Sequence, residues 1–103
     1  MLGDQLSAAL AHLTQLITKT ADPGARAALL RQHEQLAGEL QVFIDRQVDA
    51  TLPEYAEATK ALKAANHLAE AAKVDLGKLG ATLESMSRAI RKVVALAAAV
   101  GLA

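Results

Sequence analysis

Two short motifs in this chain have the spelling of known chemical sites, and each lacks something that its chemistry requires. The segment His33-Glu34-Gln35-Leu36-Ala37 begins as the HExxH zinc motif does, but Ala37 stands where the second histidine ligand belongs. Gly77-Lys78-Leu79-Gly80 has the spelling of a GxxG RNA-binding loop, yet that loop needs an α/β frame and no segment here alternates as a strand. We therefore predict neither a zinc site nor a nucleic-acid site.

The other polar residues form no catalytic constellation. His12 and His67 stand apart from one another, the chain has no cysteine, and no Glu-x-x-His pair of the di-iron bundles occurs. Asp45 and Asp49 lie one helical turn apart, which is more typical of a solvated helix face than of an acid-base pair. The sequence therefore predicts a protein that is not an enzyme, with no cofactor, no metal and no small-molecule substrate.

The most informative pattern is an unbroken heptad repeat over residues 55–100. When Tyr55 is assigned to position a, every a and d position through Val100 is apolar. Such a repeat places one continuous apolar seam along a helix, which is typical of helix-to-helix packing. The a positions are Tyr55, Leu62, Ala69, Leu76, Leu83, Ile90 and Ala97, and the d positions are Ala58, Ala65, Ala72, Leu79, Met86, Val93 and Val100.

The second half of this seam is the part that we expect to contact a protein partner. Its seam side chains from Leu76 to Val93 are larger than the alanines of the first half, and no charged residue follows Lys92. A small monomer can cover only part of such a surface. The sequence predicts a non-enzymatic interaction or assembly protein that self-associates or binds a partner helix through these residues: Leu83, Met86, Ile90, Val93, Leu96 and Val100.

Composition and helix-boundary signals predict a single all-α domain over residues 1–103. Aromatic residues make up 2% of the chain and hydrophobic ones 52%, many of them alanine, so we expect an aliphatic, helical core. Asp4 and Asp22 are placed to cap helices, while Pro53 and the capping-box pair Thr51 and Glu54 favour a new helix start. The expected helices span approximately 4–20, 23–51, 54–76 and 81–102.

The last boundary has two interpretations. Gly77 and Gly80 favour a turn, because each glycine costs a helix interior about 1 kcal/mol relative to alanine. The heptad repeat favours one continuous helix, because it crosses the glycines in phase. A straight helix over 54–102 would rise about 73 Å and leave its most hydrophobic end uncovered in a monomer. We therefore favour the turn, which makes an antiparallel four-helix bundle with coiled-coil-like packing.

The uncharged C-terminal segment supports an alternative function. Residues 93–103 carry no charge and follow Arg88, Arg91 and Lys92. Spanning a bilayer takes about 20 apolar residues, so this segment is too short to cross one. A helix of this kind can still insert shallowly while its bases contact lipid headgroups. The alternative is a peripheral membrane protein that uses residues 88–103, with a membrane as a partner secondary to protein.

The formal net charge is zero, but the two halves of the chain differ. Residues 1–59 carry eight acids and four bases, and residues 60–103 carry three acids and seven bases, which gives −4 and +4. We expect this opposition to make the halves neighbours in one fold or across a dimer. Glu84 and Arg88 have the i, i+4 spacing of a surface ion pair. The N-terminus has no basic region leading into an apolar run, so we expect a cytoplasmic protein.

Overall fold

The computed structural model describes residues 2–43 and 48–101, and these fold into four α-helices that pack against one another. No strand occurs in either described range. The predicted all-α, four-helix bundle is confirmed. The helices are α1 (Leu2–Lys19), α2 (Pro23–Phe43), α3 (Pro53–Val74) and α4 (Leu79–Ala99), and a short 3-10 helix (Leu76–Lys78) precedes α4.

The bundle consists of two helical hairpins, α1–α2 and α3–α4, packed side by side. Helix α1 contacts α2 and α3, and α4 contacts α3 and α2. The Leu2 amide donates to the Tyr55 hydroxyl (3.2 Å), and Lys19 Nζ donates to the Lys73 carbonyl (3.4 Å), so α1 and α3 run in the same direction. Both hairpin turns therefore lie at the same end of the bundle.

The heptad seam faces the core of its own chain. Apart from Leu76, which is 46% exposed in the turn, every a and d position is buried or half-buried. The alanines of α3 and the larger side chains of α4 meet in the centre of the bundle. The repeat keeps its phase across the turn because each arm of the α3–α4 hairpin directs its apolar face inward.

The chain turns between Val74 and Leu79, so Gly77 lies in the turn and Gly80 follows it. Helix α3 ends at Val74, Asp75 has an extended backbone (φ −133°, ψ 96°), and its carboxylate accepts the Gly77 amide at 3.0 Å. Neither glycine has a positive φ, and Gly80 lies inside α4. The predicted division is confirmed, and the longest dimension of the fold, 39 Å, leaves no room for the straight 54–102 helix. The Asp75 cap makes the turn.

Three of the predicted helix starts are wrong in detail, and one of them is that of α4, which begins at Leu79 and not at 81. Helix α1 begins at Leu2, so Asp4 lies in its first turn instead of preceding it. Before α3, Leu52 occupies the cap position without a side-chain hydrogen bond, because the Thr51 hydroxyl donates to Asp49 Oδ1 instead (2.6 Å). The cap at Asp22 is confirmed, since its carboxylate accepts the Ala25 amide at 2.8 Å.

Three predicted helix ends also differ, and one of them is that of α3, which ends at Val74 and not at 76. Helix α2 is described to Phe43, residues 44–47, including Asp45, lie outside the described residues, and residues 48–52 are not helical, so the helix predicted to reach 51 is too long. Helix α4 ends at Ala99, and Gly101 adopts the left-handed conformation (φ 76°) that commonly follows a helix C-terminus. Position 102, the predicted end, lies outside the described residues.

Substitution of Val93 by aspartate should unfold the bundle. Val93 is completely buried, and an unpaired carboxylate there costs several kcal/mol, which is comparable with the whole stability of a small domain. An exposed residue of α2 supplies the control, because Leu30 is 51% exposed and Leu30→Asp should change the free energy of unfolding by about 1 kcal/mol or less. Circular dichroism melts measure both, and a cooperative Val93→Asp melt near that of wild type would contradict the packing.

The two glycines should respond differently to alanine. Gly80→Ala should stabilise the protein by up to about 1 kcal/mol, since Gly80 is helical and an added Cβ meets nothing within 4 Å. Gly77→Ala should give no such gain, because its Cβ would lie 3.0 Å from Asp75 Oδ1. Urea denaturation of the two variants provides the measurement, and equal stabilisation by both would show that the Asp75 cap is unimportant.

Candidate functional site

The six residues predicted to contact a partner lie inside the single chain. Met86, Val93 and Leu96 are completely buried, Ile90 is 6% exposed, and the remaining two, at positions 83 and 100, are half-buried. An interface made by these side chains would require the bundle to open. The surface that a partner can reach on α4 is the opposite, outward face of the helix.

The outward face of α4 changes character along its length. Its first half carries the charged residues Glu84, Arg88 and Arg91, all exposed. After Lys92 every outward side chain is apolar, and the helix presents no group there that can make a hydrogen bond to solvent except its backbone. These exposed apolar residues, which we name the α4 apolar end, are Val94, Ala95, Ala98 and Ala99.

A row of residues on this outward face of α4 is spaced alternately by three and four positions. These residues occupy the b and f positions of the same heptad repeat, on the side of the helix away from the seam. The charged residues in the middle of the row make it look like an ordinary solvated helix face in the sequence. The regular spacing of these residues is visible in the sequence. Only the burial of the seam in the structure shows that this row is the accessible one. Its members, which we name the outward row, are Ala81, Glu84, Arg88, Arg91, Ala95 and Ala98.

The predicted Glu84–Arg88 pair does not form within the chain. Neither of these side chains, nor that of Arg91, makes an ion pair or hydrogen bond to another described residue. Lys92 differs, because its Nζ lies 3.3 Å from Glu57 Oε2 and joins α4 to α3. The Glu57–Lys92 pair joins the acidic and basic halves of the sequence within one hairpin.

A shallow groove of about 350 Å³ lies between α3 and α4, beside the outward row. Alanines and the buried Ser85 make up its uncharged lining. Lys60 and Arg88 make no ion pair to a described residue, so the groove carries a positive charge. The residues that line it are Glu57, Lys60, Ala61, Ala64, Ser85, Arg88 and Lys92.

A second polar cluster lies between α1 and α3. His12 Nδ1 lies 3.4 Å from Glu70 Oε2, and the same carboxylate oxygen lies 3.2 Å from Lys73 Nζ. Burial and the nearby Lys73 charge lower the pKa of His12, and Glu70 opposes them with a smaller effect. Glu70 is largely exposed, and we assign this cluster to packing between the hairpins.

Acidification should weaken the fold through His12. Because the folded-state pKa of His12 lies below its unfolded value of 6.5, the unfolded chain binds a proton first as the pH falls. The stability contributed by neutral His12 is complete above that value and is lost below it. The midpoint of urea unfolding should decrease as the pH is lowered from about 7.5 to 5.5. The His12→Gln substitution should make the midpoint depend less on pH. The exposed residue His67 provides the control, since a flattening by His67→Gln would contradict the assignment.

For the motifs at 33–37 and 77–80, the absence of a zinc or nucleic-acid site stays a prediction. His33 is half-buried on α2, and the 77–80 segment forms the 3-10 turn and the start of α4. Within residues 2–43 and 48–101, no group of three or more His, Cys, Asp or Glu side chains is arranged to hold a metal ion. None of the helices in those ranges combines the length and hydropathy that crossing a bilayer requires.

Comparison with known proteins gives no family assignment. The chain matches no protein-family model, no curated protein and no solved structure.

Proposed function

We propose that this chain is a non-enzymatic interaction or assembly protein that self-associates, or binds a partner helix, through the outward face of α4. The observation that carries the proposal is the α4 apolar end, where two helical turns expose only Val94 and alanines. Covering apolar surface gains about 25 cal/mol per Å² removed from water. In this proposal the heptad seam does not contact the partner. It packs α4 into the bundle.

A helix is the partner element that suits this surface. The exposed side chains at the α4 apolar end are small, so another helix can approach closely without opening a cavity. The large side chains on the inner face hold α4 against the core, which means that the outward face needs little ordering when it binds. Both features favour a rigid helix-to-helix contact.

Peripheral membrane association is the alternative function. Arg88 and Arg91 are exposed one to two turns before the apolar end, where they could contact anionic headgroups. Helices that lie in the membrane interface usually insert Trp, Phe or Leu, whereas this surface offers one valine and three alanines. The small side chains therefore favour a protein partner over a lipid surface.

Ala95→Glu should weaken self-association. Ala95 is exposed at the α4 apolar end, and a glutamate there would place a charge and a longer side chain in the contact. We expect the wild-type chain to exceed its monomer mass of 10.8 kDa at high concentration, and the variant to raise the dissociation constant at least about tenfold. Sedimentation equilibrium over a range of concentrations measures both.

Ala37→Glu is the matched control, because Ala37 is an exposed alanine in the middle of α2. It should leave the mass unchanged. Equal effects of both substitutions would show that the α4 face is not the contact. Flotation of wild-type protein with phosphatidylglycerol vesicles, lost in an Arg88→Gln, Arg91→Gln variant, would favour the membrane alternative.

A further inference from the structure

The outward row of α4 has an order of charges that suits a second copy of the same chain. From the N-terminal to the C-terminal end of α4, the outward row has one small residue, then one acid, then two bases, then two small residues. Glu84, Arg88 and Arg91 have no partner among the described residues of the single chain. An isologous contact around a two-fold axis would bring each of these groups to the same surface of a second molecule.

The charges distinguish the two directions in which α4 helices can pair. In a parallel, in-register pair, Glu84 meets Glu84 of the second copy, and both arginines likewise meet their own equivalents. Like charges at three positions oppose that arrangement. In an antiparallel pair whose axis passes level with position 86, Glu84 of each copy lies opposite Arg88 of the other. That register forms two ion pairs.

The same antiparallel register also covers exposed apolar surface at both ends. Position 81 is level with position 91 of the second copy, so the Arg91 side chain can extend past the small Ala81 to solvent. Beyond it, the α4 apolar end reaches the α3–α4 turn of the other molecule. Two large apolar side chains are exposed at that turn, since Val74 is 92% exposed and Leu76 46% exposed.

We infer that two copies of this chain pair antiparallel along the outward faces of α4, with Glu84 of each copy opposite Arg88 of the other. The inference rests on the proposed function and specifies its partner, direction and register. Charge complementarity in the middle of the row sets the direction. The apolar end of one copy and the turn of the other provide the apolar contact.

A charge-swap series tests the register. Glu84→Arg and Arg88→Glu should each raise the dissociation constant of the dimer about tenfold or more, because each substitution places like charges opposite one another twice. The double variant Glu84→Arg, Arg88→Glu restores both ion pairs and should return the constant to within about threefold of wild type. Glu34→Arg, the same charge reversal at an exposed position of α2, is the control and should have no effect.

Cysteine cross-linking tests the direction, since the chain has no cysteine of its own. In the antiparallel register, position 81 lies level with position 91 of the second copy, whereas two copies of position 81 lie about 15 Å apart along the axis. A disulfide needs Cα atoms within about 7 Å. A mixture of Ala81→Cys and Arg91→Cys chains should therefore form the mixed disulfide, and neither variant alone should cross-link.

The outcomes separate this inference from the proposed function. A dimer that ignores the charge reversals, or that cross-links through each single cysteine variant alone, overturns the antiparallel register and leaves self-association standing. A wild-type chain that stays at 10.8 kDa up to about 1 mM overturns both the inference and self-association. In that case vesicle flotation by the monomer would assign the α4 face to lipid.

Discussion

The packing of the small residues of α3 against the larger side chains of α4 is the constraint on which the rest of this structure depends. The two helices are joined by only four residues, so they must lie side by side. The alanines at the α3 core positions let the helices approach closely, and the side chains of Met86, Val93 and Leu96 fill the centre of the bundle. Helix α1 also packs against α3, and this contact fixes the position of the α1–α2 hairpin.

Buried polar side chains join the two hairpins. Gln32 of α2 donates to the Leu83 carbonyl (2.9 Å) and to Ser87 Oγ (3.1 Å), and Asn66 of α3 donates to the Gln5 carbonyl (3.2 Å). The oxygen of each buried amide has no partner among the described residues, which costs about 1–3 kcal/mol each. These amides fix how the hairpins align, at some expense of stability.

Helix α4 therefore has two faces with different roles. Its inner face is used by the fold, and its outward face is available for the contact that we propose. Because a change at an inner position such as Val93 disturbs the bundle itself, loss of binding in such a variant would say little about the interface. A substitution in the outward row should change binding without disturbing the core of the bundle. Variants at that row can therefore separate an effect on function from an effect on stability.

The sequence by itself determined the class of fold and the number of helices, and it placed the breaks between them approximately. Alanine content, the Asp22 cap and Pro53 are local signals, and they act within one helical turn of the residues that carry them. The heptad repeat likewise showed that residues 55–100 have one apolar face. Only the tertiary structure decided what covers that face, because periodicity is the same whether the covering helix belongs to the same chain or to another. The fold covers the seam internally, and that burial leaves the outward row of α4 as the accessible surface.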